Sequence, residues 1–166
     1  NPALEIRTGI YAPKISGSLY YASDDLQKVM DLTREKYQDD IIYVSIHLNA
    51  TTTSPQYSAS GVYTFYGSNN PGGTTTSQYY KNYNEAARKR LATSLLLETN
   101  KVTNFSKQKT IPNIDNFSVL RESNVVSTLV EVGFMNNPND LSLIGRPEFR
   151  ENVTYGLYRG ILEYFR

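Results

Sequence analysis

IIYVSIHLNA, residues 41–50, opens with a short run that is rich in β-branched side chains and apolar on both faces. Such a run predicts a strand over 41–46, buried between two layers of helices. His47, the only histidine of the chain, follows directly and precedes a polar loop. A second strongly apolar stretch, STLVEVGF (127–134), predicts another buried strand, and it carries Glu131 in its middle. Two unusual polar residues therefore stand at matching places on two buried strands. In an open parallel sheet the crevice beyond the carboxyl ends of the strands is where ligands bind.

Working outward, strand and helix patterns alternate. Leu4 to Tyr11 alternates loosely ahead of Pro13 and is a candidate strand. Ser23 is a plausible N-cap, and Asp24 and Asp25 after it favour a helix start. Leu26, Val29, Met30 and Thr33 fall on one face, which predicts an amphipathic helix over 24–38. GVYTFY (61–66) is a strand candidate inside a segment rich in Ser, Thr, Asn, Gly and Pro, and NNPGGTTTS after it is a loop. Residues 78–99 read as a helix with Ala86, Ala87, Leu91, Leu95, Leu96 and Leu97 on its buried side. After FSVL (117–120) and STLVEVGF, Pro138, Asn139 and Asp140 interrupt the chain. Pro147 then opens a last helix in which Phe149, Val153, Leu157, Ile161 and Tyr164 repeat at helical spacing. The alternation implies an α/β fold: a single domain over 1–166 with a mostly parallel twisted sheet flanked by helices. Neither an internal repeat nor a linker is visible.

The chain has 166 residues, which suits one domain with a sizeable core. Its 17 basic and 16 acidic residues leave a net charge of +1, so charge provides no argument for nucleic acid or an anionic membrane as main partner. No apolar stretch approaches the roughly 20 residues of a membrane span. The opening NPALEIRTGIY lacks the pattern of a signal peptide, so an exported protein would have lost its signal. The absence of cysteine excludes disulfides, a thiolate nucleophile and thiolate metal ligands, and it fits an exported bacterial protein. The 14 tyrosines read either as half-buried surface rings or, for some, as the lining of a groove for sugars.

A carboxylate inside LVEVGF costs several kcal/mol unless it is paired, metal-bound or at a solvent-filled site. Glu131 is thus either a buried carboxyl satisfied by a neighbouring loop or half of a reactive pair with His47. In the second case the imidazole binds a metal and the carboxylate takes a proton from the water that the metal activates.

The ordered set SIHLNA (45–50), GVYTFY (61–66) and FSVLRESNVVSTLVEVGFMNNPND (117–140), followed by an amphipathic helix, closely resembles the zinc-dependent N-acetylmuramoyl-L-alanine amidase catalytic domain. The likeness runs from about Leu4 to Phe165. It implies a peptidoglycan hydrolase, extracytoplasmic or cell-wall associated, that cuts the amide between N-acetylmuramic acid and the L-alanine of the stem peptide. Carried over, His47 is a zinc ligand and Glu131 the catalytic carboxylate. Asn49 shapes the loop beside the metal, and Arg121, on a strand edge next to the groove, is either a substrate contact or a structural ion-pair former.

The family holds zinc through two histidines and a glutamate, and the first histidine loop and the glutamate are not recognisable in this sequence. The likeness begins at the family's second strand. Catalytic zinc normally has three protein ligands and an open position. Asp24, Asp25, Asp39 and Asp40 read as surface charges, so the remaining donors are expected from an N-terminal segment or a partner that also completes the sheet. The alternative is a non-catalytic peptidoglycan-binding or regulatory module on the same fold. A zinc peptidase acting on the stem peptide is a third reading.

Overall fold

The computed structural model describes residues 42–51, 54–68, 84–103, 105, 113–114, 117–121, 123 and 125–166. The strand expected over 4–11, the helix over 24–38 and the four aspartates named above lie outside the described residues, as does most of the 67–77 loop.

Among the described residues four strands form one sheet: β1 (Ile42–Asn49), β2 (Val62–Tyr66), β3 (Asn113–Ile114) and β4 (Val126–Phe134), in the order β1-β4-β2-β3. β1 runs parallel to β4 and β2 parallel to β3, but β2 and β4 are antiparallel. The sheet is therefore mixed, with two parallel pairs out of three. β2, which follows β1 in the chain, is separated from it in the sheet by β4 and runs opposite to both.

Helices α1 (Glu85–Val102), α2 (Ser118–Arg121), α3 (Pro138–Ile144) and α4 (Pro147–Tyr164) complete the described architecture. Asn84 caps α1 by accepting the Ala87 amide, and Glu85 places a negative charge at the positive helix end. Leu91, Leu95 and Leu96 of α1 meet Phe149, Val153 and Leu157 of α4 over Val62, Val130 and Val132 of the sheet, which forms the main core. Each such side chain contributes about 1.5–3 kcal/mol by leaving water.

Other expectations change as well, and Ala86 and Leu97 of α1 are exposed rather than on its buried side. β1 continues through His47 to Asn49 because both residues pair with β4, so the histidine lies within the strand rather than after it. β1 is also less covered than an interior strand: Ile46 is 59% exposed and Leu48 41%. Among the described residues β1 ends the sheet, and α1 packs over β2 and β4 instead, with α4 against α1. Finally, Pro138, Asn139 and Asp140 do not merely interrupt the chain. Asn137 accepts the Asn139 and Asp140 amides, and Pro138 starts α3 at the position where its missing N–H costs nothing.

Candidate active site

The alternation of β1 puts Tyr43, Ser45, His47 and Asn49 on one side of the sheet, and Ile42, Val44, Ile46 and Leu48 on the other. In the parallel pairing His47 stands opposite Glu131, and across the antiparallel pair Glu131 stands opposite Tyr63. Histidine, glutamate and tyrosine thus share one rung, on adjacent strands about 4.8 Å apart. The two residues that the sequence singled out are brought together by register alone.

They sit in different surroundings. His47 is exposed, and its Nε2 lies 2.9 Å from the Ser45 hydroxyl on the same face. Glu131 is buried at 9% exposure, and its Oε2 has no hydrogen-bond partner among the described residues. Burial pushes the Glu131 carboxyl above its ordinary value, and the neighbouring His47 partly pulls it back. An orphaned, proton-avid carboxylate oxygen beside an exposed imidazole is suited to accepting a proton from a molecule that enters the site.

Asn49 ends β1 half-buried, and its carbonyl accepts the Met135 amide at 2.7 Å. Arg121 does not lie on a strand edge. It closes the one-turn helix α2, ahead of β4, while Glu131 comes five residues into that strand.

Some residues around the site were not singled out from sequence. Asn136 bonds the Thr51 hydroxyl and the Ser54 carbonyl, pinning the loop that leaves β1. Asp140 gathers Ser60, Gly61 and Phe134. The run NNPND (136–140), dense in residues that bond local backbone, was the available signal.

His47 is a suitable zinc ligand and the unpartnered Glu131 oxygen suits a base beside a metal. Among the described residues, however, no group of three or more His, Asp or Glu side chains is placed to hold a metal ion.

The N-acetylmuramoyl-L-alanine amidase family profile (Amidase_3) matches residues 5–163. The germination-specific N-acetylmuramoyl-L-alanine amidase of Bacillus subtilis is 28% identical over 145 residues, covering 86% of this chain and 52% of that protein. A cell wall amidase of Bacillus anthracis is 32% identical over 148 residues, covering 87% of this chain and 24% of its own length. The chain therefore spans about half, or less, of the curated relatives it matches. In structure it is similar to the CwlD amidase of Clostridioides difficile, solved in complex with the GerS lipoprotein, with a TM-score of 0.65 at 21% identity over 95% of this chain and 71% of that one. The catalytic domain of CwlV from Paenibacillus polymyxa superposes with a TM-score of 0.62 at 23% identity, covering 84% of this chain and 65% of the other. With a profile match across nearly its whole length and solved amidases sharing its fold, the chain belongs to the N-acetylmuramoyl-L-alanine amidase family.

Proposed function

We propose that this chain carries the hydrolytic centre of a peptidoglycan amidase, cutting the amide between the lactyl group of N-acetylmuramic acid and the L-alanine of the stem peptide. The observation that carries the reading is the shared rung of His47 and Glu131, with one Glu131 oxygen buried and unpartnered. Family membership supports the choice of bond.

Water is the nucleophile. Its oxygen bonds to the scissile carbonyl carbon while the Glu131 carboxylate accepts one of its protons. The tetrahedral adduct then collapses. The carbon–nitrogen bond breaks, Glu131 returns the proton to the leaving nitrogen, and the products are a lactyl carboxylate and a free L-alanine amine. Burial of Glu131 favours the protonated form that this return step needs. Zinc is the metal that the family resemblance implies; when bound it supplies Lewis acidity at the scissile carbonyl. His47 is the described residue that would hold it, with the other donors outside the described residues. Asn49 shapes the turn beside His47. Arg121 serves as a substrate contact or an ion-pair former.

The substrate places the protein outside the cytoplasm, in or against the wall. No helix among the described residues is long and apolar enough to cross a membrane. A further segment of polypeptide or a partner protein, lying beside the β1 edge of the described sheet, completes the sheet and the metal donors. The similar CwlD amidase was solved bound to a lipoprotein, and this supports a partner of that general kind.

A second reading, a wall-binding or regulatory module without turnover, is favoured by one observation: the described residues do not gather three metal donors. Digestion of purified sacculi separates the readings. An amidase releases stem peptides with a free amino-terminal L-alanine and retains near-stoichiometric zinc. A binding module holds sacculi, contains no zinc and releases nothing. Peptides cut within the stem would point instead to a peptidase.

A further inference from the structure

The segment after β4 is tied down more densely than its loop-like composition suggests. Asp140 is only 1% exposed. One of its carboxyl oxygens accepts the Ser60 hydroxyl at 2.5 Å, and the other accepts the Gly61 and Phe134 amides at 3.0 Å each. Asn137 holds Asp140 in place through the Asp140 amide and donates its own side chain to the Ala59 carbonyl at 2.8 Å. Gly133 donates to the Gly61 carbonyl at 3.1 Å, closing the same junction from the backbone.

That junction contains an irregularity two residues from Glu131. His47 pairs with Glu131 and Asn49 with Phe134, so β4 takes three steps where β1 takes two. The extra residue is a bulge, with Gly133 at φ 81°, a conformation that side-chain-bearing residues rarely adopt. In a regular strand Phe134 would point to the opposite face from Glu131. The bulge returns it to the Glu131 face. There its ring packs edge-on against Tyr63, the residue facing Glu131, with centroids 5.2 Å apart.

We propose that Asp140 is a positioning residue for the hydrolytic centre: by holding the Phe134 and Gly61 amides together it fixes the bulge, and the bulge sets the Phe134–Tyr63 wall against which Glu131 works. Asp140 touches no substrate and acts through Phe134. This role rests on the hydrolase reading above. Its chemistry is ordinary: a buried carboxyl that collects backbone amides specifies one chain path where several would otherwise be accessible.

The test is a double-mutant cycle in the full-length protein, with a soluble N-acetylmuramoyl peptide as substrate and kcat and KM measured separately. Asp140→Asn replaces an accepting oxygen by a donating amide. It should lower kcat on the order of tenfold while KM stays within about twofold. Phe134→Leu should give a comparable loss, and the double variant should be no worse than about the poorer single one. Ser94→Ala controls for lost stability, because it removes a buried 2.8 Å bond to the Gly160 carbonyl between α1 and α4. It should lower the melting temperature and leave kcat unchanged. Losses that multiply in the double variant, or an Asp140→Asn kcat equal to that of the unmodified protein, overturn the positioning role while hydrolysis stands. If Asp140→Asn does not fold, Ser60→Ala replaces it in the cycle under the same requirement of non-additivity. An unmodified protein that releases no stem peptide defeats the hydrolase reading, and this one with it.

Discussion

His47 and Glu131 face each other across the parallel pair β1–β4, the histidine exposed and the glutamate buried with one oxygen unpartnered. The same neighbourhood that makes Glu131 a good proton acceptor makes it costly to keep charged. Burial raises its proton affinity relative to an unfolded chain, where the ordinary value is 4.5.

The sign of the consequence for stability is definite. A carboxyl whose folded pKa lies above its unfolded one stabilises the fold below the unfolded value and loses that contribution as pH rises through the folded value. The metal-free protein should therefore lose stability as pH climbs above about 4.5, over the window in which Glu131 ionises in the fold. Glu131→Gln, which cannot ionise, should melt higher than the unmodified protein at pH 7 and close to it at pH 4. Thermal melts at the two pH values check this, and an equal difference at both would contradict it.

Arg88 is a second buried polar anchor, and a structural one. At 1% exposure it donates from one terminal nitrogen to the Leu120 carbonyl at 2.9 Å and the Ser127 hydroxyl at 2.6 Å, and from the other to the Ser123 carbonyl at 2.6 Å. It thereby joins α1 to the approach to β4. Arg88→Ala should cost on the order of 3 kcal/mol, since buried carbonyls lose their donors. Arg88→Lys should recover little, because an ammonium cannot reproduce the planar fork. Urea unfolding measures both.

Close packing of the two long helices predicts a third outcome. A Cβ at Gly160 of α4 would lie 2.7 Å from the Leu95 Cα and 2.9 Å from Leu95 Cδ2 on α1. The first neighbour is backbone and cannot swing away, so α1 and α4 would have to part. Gly160→Ala should destabilise by about 1–3 kcal/mol with no direct effect on the site, again measurable by urea unfolding.

Much of this was legible in the sequence wherever periodicity extends far enough. The spacing of Phe149, Val153, Leu157 and Tyr164 marks α4, and all four are buried. LVEVGF marks β4, and the apolar runs around His47 and Glu131 mark two strands, whose adjacency appears only in the register. The direction of β2 was not legible, because a five-residue strand reads alike in either sense. α3 was missed because Pro138 was read as a break, whereas Asn137 ahead of it turns the same residue into a helix start. The bulge at Gly133 is a property of pairing rather than of local composition, so the path by which Phe134 joins the site appears only once β1 and β4 are aligned. The exposure of Ile46 and Leu48 was hidden for a related reason: apolar residues on both faces record what a strand can bury, not what lies against it.

The most direct test of the central claim is the turnover of Glu131→Gln on peptidoglycan, with folding and zinc content verified alongside. The substitution keeps size and shape and removes only the ability to take and return a proton. The account predicts that release of stem peptides bearing an amino-terminal L-alanine falls by about two to four orders of magnitude, with the circular dichroism spectrum and bound zinc unchanged. Release at the unmodified rate from a folded Glu131→Gln protein would contradict it.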